Sequence, residues 1–251
     1  MKKISLLALS ILCSNVAFGK VFQMTMNPKS VISIVKKFLP ANQPISILEA
    51  GSFDGDDTES LSKVWSKSTI YAFEPVPEIF GWLEKRTKNI PQVLRYQVAL
   101  SDKTGTATFN ISETRDGLWQ SGSLLAPKDH LDLAPQVKFK KEIEVPTITL
   151  DEWAAQNDVE SIDLLWLDMQ GVELDVLKPS KIALTAKVIY TEIEFVEAYK
   201  GQYTFNDIQK WMYENGYVMM AKDWTTPRPK RIWFGNAIYV KKDYLKSIGF
   251  Q

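Results

Sequence analysis

The acidic side chains of this sequence that could do chemistry collect where apolar runs end, first in a short glycine-containing loop. Residues 48–55 read Leu-Glu-Ala-Gly-Ser-Phe-Asp-Gly, and Glu49 and Asp54 bring negative charge to the loop. Gly51 has no Cβ and lets the backbone approach a ligand closely, and we expect Gly55 to do the same one step on. The segment is a candidate ligand-binding turn, with an ordinary strand-to-helix turn as the alternative.

The charge of this loop indicates which ligand it could hold. The Gly-x-Gly-x-x-Gly pattern of dinucleotide-binding loops is absent from it. A pyrophosphate would be repelled by its carboxylates, whereas a ligand with a sulfonium and an amine would not. Those carboxylates belong to Glu49, Asp54, Asp56 and Asp57. We therefore expect a cationic ligand at the carboxyl ends of the strands, where open α/β sheets bind their ligands.

Two further strand ends extend the candidate binding site. Glu74 follows an apolar run, and a carboxylate there can accept hydrogen bonds from both hydroxyls of a ribose. A solvated acid at the end of a strand is the alternative. The next run ends at residues 98–102, where Ala99 and Leu100 could contact an adenine ring and Ser101 or Asp102 its amino group. Packing in the core would explain the apolar members of this segment equally well.

A second acidic group follows the apolar run 163–167. Asp168 comes directly after this run, Gly171 permits a tight turn, and Glu173 lies at the start of the next helical stretch. A carboxylate at this place could orient or deprotonate an acceptor hydroxyl, or hold a divalent ion that does so. Asp168 and Glu173 are therefore the candidate catalytic residues. Helix capping by Asp168 and a lysine partner for Glu173 are the alternatives.

Other polar and aromatic residues could add to this end of the protein. Glu192 and Glu194 point the same way from extended backbone because they are two residues apart. His130 is the only histidine, and a base near neutral pH would suit proton transfer, although we expect a lone loop histidine to lie at the surface. The aromatic residues that could line an acceptor cleft are Trp119, Tyr199, Tyr203 and Trp224.

The elements that must position these residues alternate between strand and helix. Apolar runs predict strands over residues 45–50, 69–73, 93–100, 163–167 and 187–191. Helical patterns lie between them, over about residues 57–65, 77–88 and 173–177. This alternation implies right-handed crossovers and a mostly parallel sheet covered on both faces, which is an α/β, Rossmann-like fold.

Two regions break the alternation. Residues 106–111 and 141–148 look like strands that flank an irregular segment, about 113–140, and such a long loop is typical of a lid or binding loop. The C-terminal end reads as a helix over 205–214 and strands over 217–221 and 232–240, with a polar turn over 223–230. Strands joined without a helix pair antiparallel, so we expect a C-terminal antiparallel hairpin, as in class I methyltransferases.

The N-terminal residues have the layout of a secretory signal peptide. Lys2 and Lys3 precede an apolar run over residues 4–12, and Ala17 and Gly19 form a small-x-small site before Lys20. We therefore predict an exported protein, periplasmic or secreted, with domains at 1–19 (signal), 20–44 (helical lead-in), 45–241 (catalytic domain) and 242–251 (tail). An uncleaved segment would instead anchor the domain at the membrane.

Composition excludes several classes of site and partner. Lysine plus arginine and aspartate plus glutamate both number 30, so no basic excess points to nucleic acid. No apolar run after the signal is long enough to span a membrane. The single cysteine, Cys13, leaves with the signal, and the cleaved chain therefore has no disulfide, thiolate metal site or cysteine nucleophile.

Six motifs in order resemble the FkbM-type methyltransferase family. They read LEAGSFDG from residue 48, YAFEP from 71, VALSD from 98, VPTITLDE from 145, LDMQGVE from 167 and GNAIY from 235. The resemblance covers about residues 45–240. Two departures stand out: Glu49 and the residues after Gly51 differ from the usual first loop, which often reads Asp-x-Gly-Ala-Asn-x-Gly, and Gln170 occupies a position where the family often has Glu.

The resemblance implies a class I methyltransferase fold, S-adenosylmethionine as the methyl donor and O-methylation of a hydroxyl on a small molecule or glycan. It gives Gly51 and Glu74 as donor-binding residues and Asp168, Gly171 and Glu173 as the motif near the acceptor. Export conflicts with the use of a cytoplasmic donor. The alternatives are an exported, non-catalytic binding module on this fold and, less favoured because the glycine pattern is missing, a nicotinamide-dependent oxidoreductase.

Overall fold

The predicted apolar runs form strands in a computed structural model that describes residues 22–24, 28–223 and 233–250. In chain order the strands are β1 (Phe22–Met24), β2 (Ser46–Ala50), β3 (Thr69–Phe73), β4 (Val93–Tyr96), β5 (Ala99–Leu100), β6 (Gly105–Thr114), β7 (Gly117–Leu118), β8 (Lys138–Ile148), β9 (Leu164–Leu167), β10 (Val188–Glu194), β11 (Tyr217–Asp223) and β12 (Phe234–Lys241). They make two sheets, one of eight strands and one of four.

The larger sheet has the strand order β1-β11-β12-β10-β9-β2-β3-β4. Neighbouring strands are parallel except where β12 lies antiparallel between β10 and β11. The predicted fold class, a mostly parallel Rossmann-like sheet with a C-terminal antiparallel hairpin, is therefore confirmed. Most of the turn predicted between the two hairpin strands, Trp224 included, lies outside the described residues.

Helices cover both faces of this sheet. They are α1 (Pro28–Phe38), α2 (Asp56–Val64), α3 (Pro77–Thr87), α4 (His130–Leu133), α5 (Leu150–Gln156), α6 (Glu173–Leu177), α7 (Phe205–Glu214) and α8 (Lys242–Ser247), with a 3₁₀ turn at Ala183–Thr185. Successive strand residues face opposite layers. In β2, for example, Ile47 packs in the core that includes α1 residues, and Leu48 packs in the core that includes residues of α5, α6 and α7.

The smaller sheet corrects one strand prediction. Residues 93–100 do not form one strand: β4 ends at Tyr96, and β5 leaves the large sheet to pair with β8. β4 is the last strand of the large sheet, and Leu94 on it is 45% exposed, whereas Leu100 on β5 is buried. The predicted strands 106–111 and 141–148 are confirmed and longer, and as β6 and β8 they pair antiparallel.

The two ends of the described chain meet at the large sheet. The predicted lead-in contains β1 as well as α1, and β1 lies at one edge beside β11. In the predicted tail, α8 packs onto α1 through a hydrogen bond from the Tyr244 hydroxyl to the Phe38 carbonyl oxygen, 2.7 Å. The predicted signal, residues 1–19, lies outside the described residues. Among the helices that are described, none is long and apolar enough to cross a membrane.

The loop after β2 and the turn after β9 touch at Gly51. The glycine has φ +85°, and a Cβ placed on it would lie 1.8 Å from the backbone carbonyl oxygen of Asp168. The same loop is held to β3, because the amides of Gly51 and Ser52 both donate to the Phe73 carbonyl oxygen at 3.1 and 3.0 Å. Three strand ends are thereby fixed within one small region.

This contact predicts that Gly51→Ala is strongly destabilising. The added methyl group meets backbone, which cannot move aside as a side chain can, and we expect the free energy of unfolding to fall by about 3 kcal/mol or more. Gly216 is the matched control: its φ is +82°, and a Cβ there meets nothing within 4 Å. Gly216→Ala should cost about 1 kcal/mol, the backbone strain alone. Urea denaturation of both variants measures the difference, and equal losses would contradict this account.

Candidate active site

A cavity of about 300 Å³ opens at the carboxyl ends of β2, β3 and β9. Among the residues that the structure describes, none of those lining it is lysine, arginine or histidine, and six carry carboxyl groups: Glu49, Asp54, Asp56, Asp57, Glu74 and Asp168. Predicted site residues Gly51, Ala99 and Leu100 also line it, whereas Gly55, Ser101 and Glu173 do not. The electrostatic character of the cavity is therefore that predicted from the loop, and it favours a cation.

The loop between β2 and α2 forms one wall. Glu49 is buried beneath it, where its Oε2 accepts a hydrogen bond of 2.6 Å from the Thr58 hydroxyl. Asp54 is held at the rim by Arg86, whose Nη2 lies 2.5 Å from Asp54 Oδ2. Gly55 lies behind the loop at the start of α2, with φ +83° and its open side against Leu83. A glycine is required at position 55 because α2 and α3 pack closely there.

Glu74 stands at the end of β3 on the opposite side of this wall. The side chain is 5% exposed, and its Oε1 accepts a hydrogen bond of 2.8 Å from the Val76 amide. Burial raises the pKa of Glu74 from 4.5 to about 8. A carboxyl group that is so poorly hydrated gains from new hydroxyl donors, and the two hydroxyls of a ribose would supply them.

An apolar patch follows at β5. Ala99 and Leu100 are buried and line the cavity, as expected of an adenine-binding surface. Ser101 turns away, since its amide donates to the Ile148 carbonyl oxygen and its hydroxyl lies 3.2 Å from Asp102 Oδ1. Ser101, which was predicted to contact the amino group of an adenine, therefore lies beside the cavity and does not line it.

Asp168 lies at the end of β9 and is the only predicted catalytic residue that lines the cavity. Its Oδ1 accepts a hydrogen bond of 2.7 Å from Gln170 Nε2, and the same nitrogen lies 2.5 Å from Oε2 of the buried Glu192. Burial raises the pKa of both carboxyl groups, and the charge of Asp168 raises that of Glu192 further. Asp168 is thus placed to receive a proton inside the cavity.

Glu173 has a different place from the one predicted. Its carboxylate lies under the turn after β9, where it accepts hydrogen bonds from the amides of Met169 (2.6 Å) and Gly171 (3.0 Å). Burial raises the pKa of Glu173 to about 7. Because both oxygens are engaged by the turn, Glu173 can act on the chemistry only through the position of Asp168.

His130 is buried, and the expectation of a surface histidine was wrong. It is 1% exposed in α4 and packs against the rings of Phe139, Tyr199 and Trp233 at centroid distances of 5.1 to 5.4 Å. Burial lowers its pKa to about 4, so the ring is neutral at physiological pH. It lies away from the cavity lining and has no evident part in the chemistry.

One wall of the cavity contains residues that the sequence did not point to, apart from Trp119. Phe109 and Ile111 on β6 and Trp119 after β7 face the acidic wall from the second sheet. Trp119 is 43% exposed, yet its backbone is fixed by hydrogen bonds with Ser112 at 2.8 and 2.6 Å. Of the other aromatic residues proposed for an acceptor cleft, Tyr199 is fully buried. The β-strand pattern of residues 105–114 was the available signal, but it did not say which cavity the strand would face.

Comparison with known proteins identifies the family of this arrangement. Residues 49–219 match the model of the methyltransferase FkbM domain. The 2-O-methyltransferase NoeI of Sinorhizobium fredii is 35% identical over 179 residues, which cover 69% of this chain and 71% of that protein. Among solved structures, magnesium protoporphyrin IX methyltransferase of Synechocystis PCC 6803 with bound S-adenosylmethionine aligns with a TM-score of 0.48 at 13% identity, covering 85% of this chain and 79% of that one.

Over the residues that the structure describes, no group of three or more histidine, cysteine, aspartate or glutamate side chains is arranged to hold a metal ion. The acidic cavity itself fits a donor with a sulfonium and hydroxyl groups, because Glu74 supplies a buried acceptor and the surrounding carboxylates supply negative charge.

The raised pKa values predict how stability depends on pH. A carboxyl group whose pKa is higher in the folded protein than in the unfolded chain binds more protons when folded, so stability falls as pH rises toward the folded pKa. Glu173, at about 7, and Glu74, at about 8, lose their protons above pH 6.5, and their effect exceeds the smaller, opposite effect of His130, whose ring is neutral when folded and loses its proton near pH 6.5 when unfolded. We expect the melting temperature to fall by about 4 °C or more between pH 6.5 and 8.0.

Glu74→Gln tests the origin of this dependence. The amide does not titrate, so the fall in melting temperature over the same interval should be smaller than in the unaltered protein. Glu78→Gln, at the exposed start of α3, is the control and should leave the slope unchanged. A protein whose stability rises from pH 6.5 to 8.0 would show that these carboxyl groups are ionised when folded.

Proposed function

Because the chain belongs to the FkbM methyltransferase family, we propose that this S-adenosylmethionine-dependent methyltransferase methylates a hydroxyl oxygen of a sugar, another small molecule or a glycan. The observation that carries the proposal is the cavity itself. It brings Glu74, the candidate acceptor for the donor's ribose hydroxyls, and Asp168, the candidate proton acceptor, into one enclosed space.

The donor, when bound, supplies an electrophilic methyl group on a sulfonium. The chain's contribution begins with binding: Glu74 accepts hydrogen bonds from hydroxyl groups, the Gly51 loop offers close backbone, and Ala99 and Leu100 offer an apolar surface. Asp57, whose pKa burial raises only to about 6, is largely ionised at pH 7 and favours a cation in this space. These groups hold the reacting atoms in line, which is the main source of rate in a direct displacement.

Asp168 provides the acid–base part of the reaction. A donor bound here would give its methyl group to the acceptor oxygen and leave as a thioether that keeps the electron pair of the broken carbon–sulfur bond. The hydroxyl proton passes to a carboxylate oxygen of Asp168, which later returns it to solvent. Trp119 and the second sheet form the wall on the acceptor side, where they exclude water from the reacting atoms.

The class of acceptor rests on the nature of the relative. NoeI is a 2-O-methyltransferase, and a hydroxyl acceptor suits a cavity whose only candidate bases are carboxylates. The aromatic Trp119 at the rim, beside the polar Gln120, would suit a molecule with both an apolar face and hydroxyl groups.

Donor binding is the first test of this function. We expect calorimetric titration to show micromolar binding of S-adenosylmethionine and S-adenosylhomocysteine to residues 20–251. Loss of a charge-assisted hydrogen bond should weaken binding by about 10-fold or more in Glu74→Gln. Glu78→Gln should bind as the unaltered protein does.

The same calorimetric titration also measures whether donor binding releases a proton from the protein. Glu74 is largely protonated at pH 7 because burial raises its pKa to about 8. Hydroxyl donors favour the ionised form, so binding at pH 7 should release a proton, and the binding enthalpy should differ between phosphate and Tris buffers. The difference should vanish in Glu74→Gln. A folded protein that binds neither compound would overturn the proposed function.

We also propose that residues 1–19 direct export and are removed before Lys20. A periplasmic or secreted enzyme then needs a supply of its donor, either by delivery into a cell that contains it or from the compartment it reaches. Mass spectrometry of the protein recovered from fractionated cells should give an N-terminus at Lys20 in the exported fraction. An intact N-terminus in the membrane fraction would instead indicate an anchor.

A further inference from the structure

Gln170 lines the cavity, and both polar atoms of its side chain are hydrogen-bonded. Its Nε2 donates to Asp168 Oδ1 and to Glu192 Oε2, and its Oε1 accepts a hydrogen bond of 2.8 Å from the Tyr199 hydroxyl. A carboxamide turned the other way would set its oxygen against two carboxyl groups, so these partners fix its orientation. The side chain therefore connects the turn after β9 with the end of β10 and the loop that follows it.

The backbone of Gln170 is held as firmly as its side chain. Its φ of +57° is unfavourable for a residue with a Cβ, and such a conformation persists only where the surroundings impose it. The carbonyl oxygen accepts a hydrogen bond of 2.7 Å from the hydroxyl of the buried Ser123, which belongs to the segment between β7 and α4. Three separate parts of the chain thus converge on one amide.

Asp168 and Glu192 form a pair on this amide. One nitrogen holds an oxygen of each carboxyl group, at 2.7 and 2.5 Å, and two carboxyl groups brought so close together favour a state in which one of them carries a proton. Only Asp168 lines the cavity, while Glu192 is buried behind it. The ionised oxygen is therefore best placed on Asp168 and the proton on Glu192.

We propose that Gln170 and Glu192 are positioning residues for methyl transfer, which together hold one proton behind Asp168 and present its ionised carboxylate to the acceptor hydroxyl. The inference rests on the proposed function. Gln170 acts through hydrogen bonds to both carboxyl groups, and Glu192 acts by donating its proton to Asp168. Neither needs to touch the acceptor.

Other titratable groups face this pair from the surrounding elements and must be considered with it. They are Glu49 on β2, Asp57 on α2, Glu173 on α6, and Tyr190, Glu194 and Tyr199 on or just after β10. Of these groups, only Tyr199 contacts the Gln170 carboxamide, through a hydrogen bond from its hydroxyl to Gln170 Oε1, and it is neutral. Substitution at Gln170 and at Glu192 should therefore change the titration of Asp168 in ways that their background charge does not explain.

The test is the titration of Asp168 itself. Carbon NMR of the full chain with ¹³C-labelled aspartate side chains monitors it, and the Asp168→Asn variant assigns the Asp168 signal. Glu192→Ala removes the donor that faces Asp168, so the midpoint of Asp168 should rise by about one pH unit or more, whereas the neutral amide donor of Glu192→Gln should leave it nearly unchanged. Gln170→Glu removes both donors and adds a like charge, so the midpoint should rise. A rise in Glu192→Ala and Gln170→Glu that is absent from Glu192→Gln is the signature of the proposed pair.

Gln156→Glu is the matched control. Gln156 also donates to a carboxylate, that of Glu152 at 3.2 Å, but on the exposed side of α5. This variant should leave the titration of Asp168 unchanged. If Gln170→Glu fails to fold, the two Glu192 variants decide, and a midpoint in Glu192→Ala that does not lie above that of Glu192→Gln by more than about 0.3 units overturns the proposal.

Kinetics then separates positioning from a purely structural role. With an acceptor in hand, Glu192→Gln should retain most of kcat, whereas Glu192→Ala should lower kcat by about 100-fold with the donor KM unchanged. A loss of activity in Gln170→Glu without any shift in the Asp168 titration would also overturn the proposal. Because the titration needs neither donor nor acceptor, its outcome is independent of whether the proposed function fails.

Discussion

Desolvation of carboxyl groups at one edge of the sheet is the constraint on which the rest of the site depends. Glu49, Glu74, Glu173 and Glu192 are buried there, and an unpaired buried charge is too costly to keep. Each carboxyl group is instead protonated, hydrogen-bonded or both. The loops after β2, β3 and β9 have the shapes that bring donors to these groups, as the amides of Val76, Met169 and Gly171 do.

The order and type of most elements could be predicted because the alternation of apolar strands and helices is a local pattern. Two apolar runs of the right length, such as those that form β3 and β9, need no distant information. The break between β4 and β5 could not be predicted, since the side-chain alternation continues while the hydrogen-bond partner changes from β3 to β8. Strand pairing depends on two segments that are distant in sequence, so the apolar pattern of one segment does not show which strand it will pair with.

The candidate site was predictable to the same extent. Glu74 and Asp168 were found because each follows a strand, and parallel strands end at one edge. The place of Glu173 was wrong because an acid two residues after a glycine turn can reach back to the turn's own amides as readily as forward to a ligand. His130 shows the error of judging exposure from sequence, because the histidine of an irregular segment is enclosed by aromatic rings. Trp119, a predicted cleft residue, does line the cavity.

The short strand β1 at the start of the described chain affects how exposed the edge of the large sheet is before folding is complete. β1 pairs with β11 and so occupies what would otherwise be an open edge of the eight-stranded sheet. An open edge is a template for another chain, so β1 protects the fold against edge-to-edge aggregation. The segment that performs this protection is among the first to leave the ribosome and the last to be needed. If residues 1–19 direct export, as proposed above, a chain held at the export channel by its N-terminus would leave the β11 edge unpaired until that end is released.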